Sequence, residues 1–141
     1  MVLWLCALST AGALTAVLLN PTPVDRPVYG DVLKALAWLQ TRGLPGWVTY
    51  ADVERLANVA LFILPGLLAA LLLPGRRWWL ALALCLGLSA AMELAQYLFL
   101  PERSASSVDV LLNGAGALIG VVLGSALRNL GRNRRRRPRR Y

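Results

Sequence analysis

Four long apolar runs, separated by short polar segments, dominate the pattern of hydrophobic and polar residues along the chain. They cover residues 2–19, 56–73, 78–100 and 108–127. About 20 helical residues are needed to cross a bilayer, so each run is long enough for a transmembrane helix. Pro21, Pro74 and Pro101 follow the first three runs, where a helix should stop. The pattern predicts an all-α membrane fold, a four-helix transmembrane bundle, over residues 1–127.

The first run has two interpretations. It is short and contains the small residues Ala11, Gly12 and Ala13, which are typical of a cleaved signal peptide. It lacks the basic residues with which such a peptide begins. We therefore expect a retained span, with cleavage as the alternative.

The segment between the first and second runs, residues 20–55, contains a second kind of pattern. In "VYGDVLKALAWLQ" the residues Val32, Leu36 and Leu39 share one helical face, which predicts a short helix lying in the headgroup layer. A solvated linker is the alternative. The stretch "TRGLPGW" then predicts a turn. Thr49 and Asp52 have the spacing of a capping box just before the second span.

Polar side chains interrupt the last two apolar runs at helical spacing. On the third run they are Ser89, Glu93 and Gln96. On the fourth run a longer stripe consists of Asp109, Asn113, Gly116, Gly120 and Gly124. Glycines four residues apart indicate a close helix–helix contact in lipid. The polar face and the packing face are therefore expected to coincide.

The link between the third and fourth runs, residues 101–107, is short enough to predict a tight antiparallel hairpin. Counting from both ends of the link puts Glu93 level with about residues 115–116, roughly 10 Å below the outer end of its helix. Asn58 lies near the outer start of the second span. We therefore expect the polar residues to converge in the outer half of the bundle.

Several of these residues also have purely structural interpretations. Asp109, three residues after Ser106, has the position of a helix cap. Gln96 and Asn113 could serve as interhelical hydrogen-bonding residues, and Arg103 as a headgroup anchor.

Glu93 is harder to explain structurally, because a carboxylate at helix-centre depth costs about 2.5–3.5 kcal/mol. It should therefore be protonated, paired or in contact with water. Arg103 is its expected partner, and both a structural ion pair and a functional cleft stay open.

Charge is distributed unevenly along the chain. The 15 basic and 7 acidic residues give a net charge of +8, and residues 1–127 are balanced. The excess lies in residues 128–141, a predicted disordered tail whose arginines are Arg128, Arg132, Arg134, Arg135, Arg136, Arg137, Arg139 and Arg140. We expect this tail to bind anionic lipid rather than nucleic acid, because no aromatic platform accompanies it.

Arginine placement also predicts the orientation of the chain. Arg76 and Arg77 lie between the second and third runs, on the same side of a four-span bundle as the tail. The positive-inside rule makes that side cytoplasmic, with both termini inside the cell and residues 20–55 outside.

The absence of histidine from the sequence removes the commonest general base and metal ligand, so we expect no metal and no cofactor. Cys6 and Cys85 lie in apolar runs and are interpreted as small buried hydrophobic residues, with a disulfide or metal pair as the alternative.

Four motifs together resemble the VanZ-like family. They are "NVALFILPG" from Asn58, "ELAQ" from Glu93, "RSASSVD" from Arg103 and "NGAGALIG" from Asn113. The resemblance covers about residues 52–124. Its polar positions correspond here to Asn58, Glu93, Gln96, Arg103, Asp109 and Asn113. One departure is Leu64, which stands between the Phe-Ile pair and the proline.

The resemblance implies a small multi-pass protein of the bacterial cytoplasmic membrane. The namesake of the family is associated with low-level resistance to the glycopeptide teicoplanin, and its mechanism is not established. We therefore expect a non-enzymatic envelope factor whose outward polar site binds a lipid-linked, glycopeptide-like or membrane-protein ligand.

Two other functions are considered. In a membrane-embedded enzyme acting on a lipid-linked substrate, Glu93 would be the acid/base and Arg103 would hold an anion. A proton-coupled carrier is disfavoured because the four short spans show no internal repeat.

Overall fold

The computed structural model describes residues 1–18, 26–73, 75–100 and 106–136. Over these ranges the chain is helical and contains no strand. The five α-helices are α1 Val2–Leu18, α2 Tyr29–Gln40, α3 Tyr50–Leu72, α4 Trp78–Phe99 and α5 Ser107–Arg136, and short 3-10 helices cover Arg26–Val28 and Gly75–Arg77. The all-α prediction is confirmed.

Three segments are long and apolar enough to cross a membrane. They are Tyr50–Leu72, Trp78–Phe99 and Ser107–Arg132. They correspond to the second, third and fourth predicted spans. The first apolar run forms α1, which at 17 residues is shorter.

The segment before α3 follows its local sequence signals. The predicted short helix is α2, which buries Leu36. Gly43 has a φ of 106°, a backbone conformation that favours glycine, and the chain turns there. The capping box is present, because the Thr49 N–H donates to Asp52 Oδ2 at 2.9 Å. This cap starts α3 at Tyr50, six residues before the apolar run that marked the span.

The closest packing in the molecule is between α3 and α5, which run parallel. A Cβ at Gly116 would overlap the carbonyl oxygen of Val59, and a Cβ at Gly120 would overlap that of Ile63. The predicted close glycine contact is therefore confirmed, but its partner is α3. The expectation that polar and packing faces coincide holds for Asp109, which also faces α3, but not for Asn113, which faces α4.

The remaining contacts between helices complete the bundle. Helix α4 packs against α5 and α3, and α1 packs mainly on α3. The main core cluster consists of Leu14, Phe62, Cys85, Met92 and Ala117. Both cysteines are free, but only Cys85 is buried, because Cys6 lies on the outer face of α1. The predicted burial is wrong for Cys6.

Helix α5 continues well beyond the predicted span end at residue 127 and reaches Arg136. The predicted disorder is therefore wrong for residues 128–136, and residues 137–141 lie outside the described ranges. Arginine is a good helix former, so an established helix propagates readily into this basic sequence. Arg128 also contacts α3, because its guanidinium donates to the carbonyl oxygen of Ala70.

Candidate functional site

The polar side chains predicted from the sequence meet around the first two turns of α5. This helix lies between α3 and α4, so its two sides face different partners. Three hydrogen bonds that involve residues 106–113 connect the start of α5 to α3 and α4. These three contacts lie at one end of the bundle, and the contact of Arg128 with Ala70 lies at the other.

Asn58 and Asp109 join α3 to α5. The Asn58 Nδ2 donates to Asp109 Oδ1 at 3.0 Å, and both residues are partly buried. Asp109 also lies in the first turn of α5, where a negative charge interacts favourably with the helix dipole. The structural interpretation of Asp109 as a residue of the helix start and its place in the polar cluster are thus compatible.

Glu93 joins α4 to the start of α5. Its Oε2 accepts a hydrogen bond from the backbone N–H of Ser106 at 2.8 Å. The Ser106 Oγ in turn accepts from the Val108 N–H at 3.2 Å, as an N-cap residue does. In a capping box the third residue of the helix, here Asp109, would accept the N–H of the cap residue. Here the Glu93 carboxylate accepts the Ser106 N–H instead, and Asp109 accepts from the Asn58 side chain.

A buried polar layer lies next to these contacts. Asn113 Nδ2 donates to Ser89 Oγ at 2.9 Å, and Ser89, Gln96 and Asn113 are exposed by only 1, 6 and 4 %. Within the described ranges, Asn113 Oδ1 is a buried acceptor with no hydrogen-bond partner. A buried carbonyl oxygen in this state costs about 1–3 kcal/mol.

A cleft of about 320 Å³ opens between α4 and α5 beside Glu93. Its wall is formed by Ala90, Glu93, Leu94, Tyr97, Ser106, Ser107 and Val110. Leu94 and Tyr97 are 57 and 71 % exposed. Because these side chains lie on the outer surface of the helix pair, the cleft is accessible from the side of the bundle.

The register of α4 against α5 differs from the sequence-based estimate. Glu93 was expected to lie level with residues 115–116, but it contacts Ser106. Helix α4 therefore extends past the start of α5 by about six residues, or roughly 9 Å. The estimate assumed that both helices end at the same height. The length of the link sets only a maximum separation between their ends.

Most of the predicted polar residues can be placed. Asn58 contacts Asp109, Glu93 contacts the start of α5, and Gln96 and Asn113 are buried at the helix interfaces. Arg103 lies outside the described residues. Sequence reasoning missed the backbone N–H of Ser106 as the partner of Glu93. The cap position of Ser106 was the signal that could have suggested it.

The tail arginines divide into groups. Arg128 is engaged within the protein at the end of α3, and Arg132 is exposed on α5. Arg134, Arg135 and Arg136 continue the helix, and the structure describes their backbone only. Arg137, Arg139 and Arg140 lie outside the described ranges.

Comparisons with known proteins identify the family. The family model VanZ/LLP1 matches residues 26–128, which include α2 to α4, most of α5 and the whole polar cluster. No curated protein and no solved structure matches the chain. The three helices able to cross a membrane agree with the membrane character implied by the motifs. The chain is therefore a membrane protein that belongs to the VanZ/LLP1 family.

Proposed function

We propose that this VanZ/LLP1-family protein is a non-enzymatic envelope factor that binds a lipid-linked ligand in the cleft beside Glu93. The observation that carries the proposal is the position of the Glu93 carboxylate. It is partly buried between two membrane-spanning helices and forms part of the wall of the 320 Å³ cleft. A ligand of this kind reaches the cleft from the bilayer, past Leu94 and Tyr97.

Capping of the Ser106 N–H does not by itself require a charge at Glu93. A glutamine could accept the same Ser106 N–H, whereas a carboxylate at membrane depth costs about 2.5–3.5 kcal/mol. Interaction with the N terminus of α5 returns about 0.3–1 kcal/mol, and up to about 2 kcal/mol in favourable geometry. Helix capping alone therefore does not explain a charge at this position, and the proposal assigns the carboxylate a part in ligand binding.

The cleft suggests an amphiphilic ligand. Val110, Leu94 and Tyr97 offer apolar and aromatic surface, while Glu93 and the two serines offer hydrogen-bonding groups. Acceptors predominate, so the ligand should present donors such as ammonium, amide N–H or sugar hydroxyl groups. Lipid-linked cell-wall intermediates and glycopeptides carry such groups, and binding either one would alter drug access at the cell surface. A contribution to teicoplanin resistance follows as part of the proposal.

We further propose that α1 is a fourth span and that α4 and α5 form an antiparallel hairpin in the bacterial cytoplasmic membrane. Contacts of α1 with α3 and of Glu93 with Ser106 support this arrangement. Arg77 and Arg128 lie at the same end of the bundle, because the Arg128 side chain approaches Gly75. The positive-inside rule then makes that end cytoplasmic and the Glu93 end external.

The direct test is binding of a labelled lipid-linked cell-wall intermediate to the purified full-length protein in mixed micelles. Wild-type protein should retain the lipid without converting it. Glu93→Gln keeps the acceptor for Ser106 and removes the charge, so it should weaken retention at least tenfold. Glu54→Gln, at an exposed carboxylate outside the cleft, is the matched control and should bind like wild type. Equal binding by all three proteins would contradict the proposal. Conversion of the lipid would instead support the enzyme alternative.

A cellular test addresses the resistance component. A teicoplanin-susceptible bacterium expressing the protein should tolerate more teicoplanin than the empty-vector strain. The Glu93→Gln strain should lose that gain at an equal protein level, and the Glu54→Gln strain should keep it. Full protection by Glu93→Gln would show that the Glu93 carboxylate is not needed for teicoplanin tolerance.

A further inference from the structure

A second cavity lies between α1, α3 and α4, at the opposite end of the bundle from the cleft, and shares no residue with it. Its volume is about 290 Å³. Its wall includes Trp4 and Ala7 on α1 and Leu84 and Cys85 on α4. On the α3 side the wall extends from Pro65 to Leu73. We refer to it as the α1 groove.

The α1 groove offers apolar surface almost throughout. The one hydroxyl in its wall belongs to Thr10, and it donates to the carbonyl oxygen of Cys6 at 2.7 Å. An occupant therefore needs no hydrogen-bonding groups inside the groove. At this depth of a membrane-spanning bundle, hydrocarbon is the available filling, because water is excluded from the bilayer core.

The length of the groove matches one leaflet. From Pro65 to Leu73 the α3 side covers eight residues, or about 12 Å, and from Trp4 to Leu14 the α1 side covers ten residues, or about 15 Å. Half of a hydrocarbon core of about 30 Å is about 15 Å. The groove thus accommodates a chain that runs through one leaflet and ends near the middle of the bilayer.

Positive charge lies next to the Leu73 end of the groove. Leu73 is followed closely by the 3-10 helix Gly75–Arg77, whose Arg77 is exposed. The Arg128 guanidinium also approaches Gly75. The neighbouring Trp78 and Trp79 are 51 and 56 % exposed, as is typical of residues at headgroup level. The apolar walls of the groove therefore suit an acyl chain, and the nearby arginines suit an anionic headgroup.

We propose that the α1 groove binds one acyl chain of an anionic phospholipid whose headgroup phosphate interacts with Arg77. The lipid fills the space between α1 and the α3–α4 pair and so attaches α1 to the bundle. This inference does not depend on the ligand of the Glu93 cleft, because the two sites share no lining residue and lie in different halves of α4.

The test is native mass spectrometry of the full-length protein released from vesicles of equal phosphatidylglycerol and phosphatidylcholine content. Wild-type protein should retain one phospholipid, predominantly phosphatidylglycerol. Ala7→Phe places a ring in the groove and should reduce total retained phospholipid at least fivefold. Ala13→Phe, at an exposed position of α1 outside the groove, is the matched control and should retain lipid like wild type.

The headgroup contact has its own variant. Arg77→Gln leaves the groove intact and should lower the ratio of phosphatidylglycerol to phosphatidylcholine about fivefold, the effect of one arginine near a headgroup. Arg132→Gln, an exposed arginine further along α5, should change the ratio much less. Because Arg77 is exposed, this comparison decides the question even if Ala7→Phe does not fold.

Three results would overturn the inference. They are wild-type protein without retained phospholipid, equal retention by Ala7→Phe and Ala13→Phe, and equal ratios for Arg77→Gln and Arg132→Gln. A lipid-free dimer would likewise contradict it, since a second copy of the chain would then cover the groove.

Discussion

Two carboxylates lie at the start of α5, and the one from α4 takes the backbone N–H that a capping box would assign to the other. Glu93, from α4, accepts the Ser106 N–H, while Asp109, in the first turn of α5 itself, accepts from Asn58. Each carboxylate therefore connects α5 to a different helix. The arrangement makes the helix start part of the polar site.

Glu93 can be separated into a capping role and a charge role by two substitutions. Glu93→Ala removes the acceptor for the Ser106 N–H and should lower the free energy of unfolding by about 1 kcal/mol, as lost caps do. Glu93→Gln keeps an acceptor and should be at least as stable as wild type. Reversible unfolding in mixed micelles measures both. A glutamine variant as unstable as the alanine variant would show that the carboxylate is needed for the fold itself.

The contact between Asn58 and Asp109 should contribute a modest coupling energy. A double-mutant cycle with Asn58→Leu and Asp109→Ala, each of which removes the hydrogen bond, isolates the pairwise interaction between the two side chains. Hydrogen bonds between membrane helices give about 0.6 kcal/mol on average and up to about 1.7 kcal/mol, and we expect a value in this range. The cycle is read from unfolding free energies in mixed micelles. Strictly additive single changes would mean that the 3.0 Å contact does not form in the membrane.

For individual residues, the sequence predicted which polar side chains face the bundle but not which of them form hydrogen bonds with each other. Helical spacing put Ser89, Glu93 and Gln96 on one stripe, and all three lie toward the bundle. The pairing of Asn113 with Ser89 depends on the register between two helices. Register varies with the path of the link, which spacing along either helix does not determine.

Among the helices, α5 is the central element of the bundle. Its glycine face lies against α3, and the side with Asn113 lies against α4. Periodicity on α5 predicted the face that packs closely, but it could not say which neighbour occupies that face. Adjacency in sequence favoured α4 as that neighbour. The closer neighbour is α3, which runs parallel to α5, because its backbone lies against Gly116 and Gly120.

Substitution of one of these glycines should disrupt the α3–α5 contact. In Gly120→Ala the new Cβ meets the backbone of α3, which cannot move aside as a flexible side chain could. We expect a loss of about 1–3 kcal/mol in the free energy of unfolding, typical of overpacking. Gly87→Ala is the matched control, since nothing lies within 4 Å of a Cβ there. It should be neutral or stabilising, and equal effects at the two positions would contradict the packing.

The whole molecule combines a strongly basic end with an end that carries the polar site. Apolar runs and prolines predicted the bounds of α1 and α4 to within one residue, whereas α3 begins six residues before its run. The family motifs identified the membrane class. The continuation of α5 to Arg136 was not predicted, because apolar periodicity ends at residue 127 and only helix propagation extends the element.

Orientation is a property of the whole chain and can be measured by cysteine labelling. In a background with Cys6 and Cys85 replaced by serine, Trp47→Cys should react with a membrane-impermeant maleimide in intact cells. Arg132→Cys should react only after the membrane is opened, because the positive-inside rule puts that end in the cytoplasm. Trp47 is 75 % exposed, so burial does not limit its labelling. The reverse labelling pattern would invert the topology and put the Glu93 cleft on the inner side.

The central claim is that the cleft beside Glu93 holds a lipid-linked ligand. The most direct measurement is photo-crosslinking in bacterial membranes, with a benzophenone amino acid replacing Tyr97, which lines the cleft. The same amino acid at Leu98, which is exposed on α4 outside the cleft wall, serves as the comparison. The account predicts an adduct of defined mass at position 97 that is absent at position 98 and lost in Glu93→Gln. Identical adducts at both positions, or an adduct unchanged by Glu93→Gln, would contradict it.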